Sequence, residues 1–357
     1  MNGYAGRITA KILYNNVDIS NDLSVYLKDI NYTDVLSGAA DDLNITLEDR
    51  EHLWQGDWFP EKGAILAVTL ESQYWNHEYE LPKSFYLGRF EIDEIECSHP
   101  PSEVKIKAIA VPDNTTLRGV DRSRSWEKVK LKTIAKDIAK NAEMELFYEA
   151  EEDPTLDRVE QTEQSDLSFL QKLCEDNGMA LKVTDKKIVI FDEKKYEAEA
   201  EKFIFLCQRE GASGAEKQSS EELPIKDELI SYNFRSSVRD VYRACRVVYQ
   251  KSNSKEKLSY LFEDPQKKIG KILVVSQQVD SIAEAQRLAK KELRNKNKEE
   301  VIGNFTLRGD FDLSAGLTAK VMGFGCFDGK YIITKVVHDI GNGYRCTVDV
   351  RRCIDGY

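Results

Sequence analysis

The raw material for chemistry in this chain of 357 residues is four histidines, seven cysteines and a surplus of acids. A metal site would need histidines at ligand spacing, such as two placed four residues apart on one helix face. His52, His77, His99 and His338 stand in no such spacing. His338 shares a strand face with Ile332, Val336 and Ile340, the setting of a hydrogen-bonded structural histidine rather than a catalytic base. The cysteines are odd in number and form no CxxC pair, and Cys174, Cys207, Cys245 and Cys346 lie inside apolar patterns. They read as small buried hydrophobes, not as a disulfide framework or a zinc site. Neither a GxSxG elbow nor a P-loop occurs. Glu91, Asp93, Glu94 and Glu96 remain as a conceivable wall-cleaving carboxylate pair of the glycosidase kind. Such a pair needs one acid shielded so that its pKa rises. Closely spaced acids on a strand instead read as a solvated or lumen-facing surface, and residues 149–153 as a solvated acidic loop. No catalytic, cofactor-binding or metal residue is assigned, and no cofactor is expected.

Composition narrows the remaining classes. A chain of this length exceeds one ordinary core, so two or three domains are expected. Its 41% hydrophobic and 32% charged content is that of a soluble globular protein. No apolar run approaches the roughly 18 residues that cross a bilayer, and the N-terminus lacks a signal-peptide core, so synthesis in a reducing cytoplasm is expected. The net charge of −11 argues against specific binding of nucleic acid through its phosphates, yet suits an acidic channel that nucleic acid merely passes through.

The elements that would carry any site begin with β structure. Residues 6–14 alternate Ile8, Ala10 and Ile12 with polar positions. Further strands are expected over 23–34, 42–48, 63–70, 85–96 and 104–108, with a Pro100-Pro101 turn before the last. The aromatic stretch from Trp54 to Trp75, with Trp58, Phe59 and Tyr74, is either an interface loop or a set of hairpin tips folded back on the core. From about 116 to 205 the period changes. Leu131, Ile134, Ala135, Ile138 and Ala142 make one helical stripe. Ser165 caps a second helix carrying Leu167, Leu170 and Cys174, and Gly178 ends it. A hairpin, 180–183 and 188–191, turns through residues 185–187. Residues 208–226 have linker composition. Strands resume at 229–234 and 242–250, followed by a helix with a Ser281/Glu284 capping box and a buried stripe of Ile282, Ala285, Ala289 and Leu293.

The chain closes on a three-stranded meander with both turns written in it. Strand 316–324 reaches a hairpin at Asp328-Gly329, 331–340 turns at Gly341-Asn342-Gly343, and Tyr344, Cys346, Val348 and Val350 line one face of the last strand. The segments 63–70, 86–96 and 104–108 echo this order. The expected fold is therefore α+β, mainly β: two similar β-barrel domains with an inserted helix-hairpin α+β module. Its boundaries are 1–115 for the first barrel, 116–226 for the module and linker, and 227–357 for the second barrel with its helix. Three such chains about an axis would present six similar barrels, matching a sixfold ring at one end and a threefold object at the other.

Four segments carry a family resemblance, in order along nearly the whole chain: residues 40–49 (ADDLNITLED), 85–95 (FYLGRFEIDEI), 164–178 (QSDLSFLQKLCEDNG) and 328–338 (DGKYIITKVVH). The chain resembles the phage late control D family, the baseplate hub proteins of contractile tails, and the hub half of type VI secretion valine-glycine-repeat spike proteins. The resemblance implies a non-catalytic homotrimer joining the tail tube ring to a trimeric spike, made in the bacterial cytoplasm and assembled into the baseplate of a phage tail or tail-like particle beside baseplate wedge proteins and a tape measure protein. No valine-glycine repeats follow Tyr357, so the spike is expected to be a separate chain. The rival readings are a tail-associated peptidoglycan hydrolase or wall-binding module and, third, a free-standing secreted effector.

Overall fold

A computed structural model describes residues 6–77, 79–110, 117–207, 223–239, 241–250, 257–277, 279 and 282–354. The fold is mainly β with a minority of helix. It forms two compact units, each drawn from three stretches of chain. The first comprises Met1–Asp192, Leu307–Ala315 and Lys335–Thr347; the second comprises Glu193–Thr306, Gly316–Thr334 and Val348–Tyr357. The division falls inside strands Val301–Arg308, Gly329–Gly341 and Gly343–Arg352.

The first unit is organised on an antiparallel sheet. Its order is Val17–Asp18, Arg7–Tyr14, Ile65–Gln73, Lys83–Ser98, Glu103–Ile109, Asp42–Glu48, Leu27–Val35 and the 335–340 part of Gly329–Gly341. Alternation dictates one buried face: Leu43, Ile45 and Leu47 lie opposite Ala108, Ile106 and Val104, and all six are buried. Strand Asp42–Glu48 has the bounds its pattern gives. The strand expected over 23–34 begins later, at Leu27, because Ser20–Ser24 is a short helix. There the Asp18 carboxylate accepts from the Ser20 backbone N–H at 3.0 Å and turns the chain, while Leu23 enters the core. Among the described residues the strand pairings stay open and close into no barrel.

The same unit carries a helical module with its own core. Helix Leu131–Asn141 buries Leu131, Ile134, Ala135 and Ile138, and helix Asp166–Asp176 buries Phe169, Leu170 and Cys174. Ser165 accepts the Ser168 N–H at 3.3 Å, and Gly178 takes φ 76 just past the helix end. Hairpin Ala180–Thr184 and Lys187–Phe191 turns through Asp185 and Lys186, both at positive φ. Glu145–Tyr148 pairs parallel to Lys187–Phe191, which becomes the central strand of three. A ribbon, Asp121–Lys130 against Thr155–Ser165, lays Trp126 flat on Phe169 with ring centroids 5.2 Å apart.

In the second unit Phe203–Leu206 runs parallel to Thr318–Met322, which pairs antiparallel with 329–332. Phe203, Phe205, Phe234, Phe305, Phe324 and Tyr331 form an aromatic core beneath them. Gly303 is required there: a Cβ would stand 2.6 Å from the Phe234 ring. A second sheet places Tyr242–Gln250 between Lys257–Glu263 and Lys271–Val275, with helix Ile282–Asn297 packing Ala285, Ala289 and Leu293 against Cys245 and Val247. Ser281 of the expected capping box, and residues 208–222 of the expected linker, lie outside the described residues. The expected hairpin forms between Thr318–Met322 and 329–332, but its turn runs through a 3-10 helix, Gly325–Phe327, ahead of Asp328-Gly329. Asp328 closes it by accepting the Phe324 N–H at 2.7 Å, and Gly329 follows with φ 147.

Candidate functional site

The acidic strand resolves into separate environments. Phe90, Glu91 and Ile92 occupy consecutive buried positions, Glu91 being paired with Ile65 on one side and Ile109 on the other, and a register shift between Ile92 and Glu94 then leaves Asp93 and Glu94 both exposed. Glu91 is 5% exposed, which corrects its expected solvated or lumen-facing placement. Glu94 is exposed, and Lys107 donates to it at 2.8 Å. That hydrogen bond and the lysine charge hold the Glu94 carboxyl below its ordinary pKa, the opposite of what a general acid requires. Asp93 faces Arg118 at 3.5 Å, and Glu96 is exposed. In the 149–153 loop, Asp153 accepts the Lys132 N–H at 3.0 Å and so serves the start of helix Leu131–Asn141.

The histidines are dispersed. His52 and His99 are exposed and make local contacts, with Gln55 at 3.1 Å and Ser102 at 3.0 Å. His77 lies on an exposed loop. His338 is fully buried, with Nδ1 2.7 Å from the Tyr344 hydroxyl and 3.3 Å from Cys346 Sγ. Burial pushes its pKa down to about 4, against the pull of the Asp34 and Asp310 charges, so the ring is neutral at pH 7. Burial likewise pushes the Tyr344 hydroxyl well above its usual range. Among the described residues no three His, Cys, Asp or Glu side chains are placed to hold a metal ion. Cys174, Cys245 and Cys346 are buried, as their apolar patterns predict, whereas Cys207, just past strand Phe203–Leu206, is only half-buried, which corrects its expected burial.

The polar groups the structure does bring together were not among the sequence candidates. In the first unit, Lys182 from the module hairpin pairs with Asp34 and reaches Asp41 at 3.6 Å. In the same unit, Asp166, wholly buried at the first position of its helix, is paired by Arg124 and accepts from Gln161 at 2.8 Å. In the second unit, Glu193 and Glu197 of a short helix converge on Arg351 at 2.7 and 2.6 Å, with Arg294 2.5 Å from Glu197. Glu197 also accepts the Ile354 N–H at 3.0 Å. These clusters bind segments far apart in sequence. Only the Glu193/Glu197 spacing, one helical turn, signals any of them in one dimension.

The aromatic stretch divides between its two expectations. Trp54 is buried, edge-on to Tyr26 and Trp58, and Trp75 donates to the Gly309 carbonyl at 2.7 Å under the Arg308 guanidinium. Trp58 and Phe59 stay about half exposed. The described surface thus offers apolar anchors and paired charges, and its buried polar groups brace the fold.

Comparison with known proteins follows the same direction. The profile of the phage tail baseplate hub (GPD) family matches residues 92–344. A "Probable baseplate hub protein" of Escherichia phage P2 is 30% identical over 186 residues, covering 50% of this chain and 43% of the phage protein. The matched stretch is thus less than half the length of that relative. The 43 kDa tail protein of a Shewanella oneidensis prophage shares the fold with a TM-score of 0.70 at 12% identity, covering 97% of this chain and 98% of that one. An E. coli component of the type VI secretion system matches at TM-score 0.53 and 13% identity, over 99% of this chain and 79% of its own.

Proposed function

The chain belongs to the phage tail baseplate hub family, and from that premise we propose that it is a homotrimeric symmetry adaptor in a contractile tail or tail-like injection particle. The family match over residues 92–344 carries this reading. The whole-chain likeness to a prophage tail protein supports it. Two related β domains per chain, about 1–115 and 227–357 with the 116–226 segment between them, would give six domains in a trimer. These are units of duplication, a different division from the compact units of packing. Six similar faces meet the tail tube ring at one end, and three chains meet a separate trimeric spike at the other. Baseplate wedge proteins and a tape measure protein are the remaining partners, and the acidic surplus lines a lumen that repels nucleic acid in transit.

The hub works by geometry and surface complementarity, without catalysis. Glu94, the candidate acid whose environment is clearest, is held ionised by Lys107. Light scattering on the purified protein, alone and mixed with its tube and spike proteins, tests the proposal. A trimer, or trimerisation on adding spike, is expected; a stable monomer indifferent to both would remove the adaptor reading.

A further inference from the structure

Inside the first unit the helical module meets the sheet at a compact polar junction. Val183 bridges Ala40 in parallel, and Gln171 donates to the Gly38 carbonyl at 3.0 Å. Between these contacts Lys182 enters a pair of carboxylates. Its ammonium bonds Asp34 and stands 3.6 Å from Asp41 Oδ1. Both acids are fixed by backbone: the Ala315 N–H donates to Asp34 at 2.8 Å, and the Val35 N–H to Asp41 at 3.1 Å. Asp41 is 1% exposed, and its Oδ2 is buried without a hydrogen-bond partner. One ammonium thus faces two buried carboxylates, leaving one negative charge uncompensated in a poorly hydrated place.

We propose that Asp34, Asp41 and Lys182 form a proton-binding latch: Asp41 takes up a proton from mildly acidic solution and the junction between module and sheet tightens. Protonation removes the excess charge from the buried pair, while Lys182 keeps its pairing with Asp34. Burial, aided by the Asp34 charge and opposed by Lys182, the Val35 N–H and the Thr184 hydroxyl, raises the Asp41 pKa to about 6. The carboxylates keep Lys182 above its ordinary pKa in spite of burial, so it stays charged throughout.

The other groups around the junction do not supply the same step. Tyr32, on the strand that carries Asp34, is pushed far up by burial and by the three neighbouring aspartates. His338, also near Asp34, is neutral above about pH 4. Asp42 is raised by burial, but Thr33, Asn44 and Lys335 hold it on the side of the sheet away from this pairing.

The sign follows from linkage. A carboxyl whose pKa is higher in the closed junction than in the opened chain binds its proton more tightly when closed, so closure is favoured as pH falls through about 6. With an ordinary pKa of 3.8 in the opened form, closure strengthens about tenfold between pH 7.5 and pH 5.

Native-state hydrogen exchange, corrected for the intrinsic rate, reads this on the full chain. Protection of amides in Leu27–Val35 and Ala180–Thr184 should rise about tenfold from pH 7.5 to 5. The Asp41→Asn variant should lose that rise. No rise in the native protein, or an equal rise in the variant, overturns the proposal. Should the variant fail to fold, the Val35 amide of the native protein reports the same event through its bond to Asp41. A nuclear magnetic resonance shift with a midpoint near pH 6 supports the latch, and a midpoint below about 4.5 refutes it.

Discussion

Replacing Gly309 by alanine should disturb this protein more than any surface charge change. A Cβ at this position would stand 2.1 Å from Tyr344 Cγ and 2.2 to 2.4 Å from both Cδ atoms. Carbon contacts settle near 3.5 to 4 Å, so the ring must retreat by roughly 1.5 Å. It has nowhere to go. Tyr344 is 3% exposed, packs beside Trp75 and Phe311, and holds His338 through its hydroxyl at 2.7 Å. Overpacking of this kind costs about 1–3 kcal/mol, and the displaced hydroxyl forfeits about 1 kcal/mol more. We expect a loss of about 2–4 kcal/mol in urea unfolding, followed by tryptophan fluorescence because Trp75 adjoins the ring. The double-mutant cycle separates this mechanism from a backbone effect. With Tyr344→Ala already in place the added methyl meets empty space, so Gly309→Ala should then cost little, leaving a coupling of about 2–4 kcal/mol. A Gly309→Ala protein within about 0.5 kcal/mol of the parent would refute the reasoning.

Other expectations follow from the buried charges, the cap and the acidic strand. Arg351→Met leaves Glu193 and Glu197 short of their shared cation and should cost about 3–5 kcal/mol near pH 7 by chemical denaturation. Burial raises the Glu193 pKa, but Arg351, Lys298 and Arg294 outweigh it and hold the carboxyl below its ordinary 4.5. A depressed carboxyl stabilises above that pH and loses its contribution as pH falls, so the gap between parent and Arg351→Met should narrow in acid. Ser165→Ala removes the cap of helix Asp166–Asp176 and should cost about 1 kcal/mol, read as a lower urea midpoint at unchanged slope. Peptidoglycan zymography should show no clearing; clearing abolished by Glu94→Gln would overturn the non-catalytic reading.

How much of this was legible in one dimension depended on whether the signal was local. Strand Asp42–Glu48, the stripe of helix Leu131–Asn141, the Ser165 cap and the Gly178 stop are set by neighbours within a few residues, and the structure places them where the pattern does. The ribbon Asp121–Lys130 with Thr155–Ser165 escaped because most of its positions are exposed and it shows too few apolar residues to alternate. The helix Ser20–Ser24 was hidden by a side-chain turn at Asp18 that competes with the strand pattern. Glu91 was misplaced because nothing in its neighbours marks its position, paired with Ile65 on one side and Ile109 on the other, as a buried one. The polar clusters were beyond reach for a different reason: Lys182 and Asp34 are 148 residues apart, and pairing over that distance leaves no spacing to read.

The interrupted course of the chain through its two units limits how the protein can be divided. Neither unit is a contiguous fragment, since each draws one of its sheet strands from the last fifty or so residues. A truncation ending at Asp192 would strip Lys335–Ile340 from the edge of Leu27–Val35, removing six paired positions and baring a row of backbone donors and acceptors. It would also delete Ala315, whose N–H holds Asp34, and Tyr344 with His338. Such a fragment should aggregate rather than behave as an autonomous domain. The ribosome must therefore finish nearly all of these residues before either unit can close, so a prematurely terminated chain has no folded half.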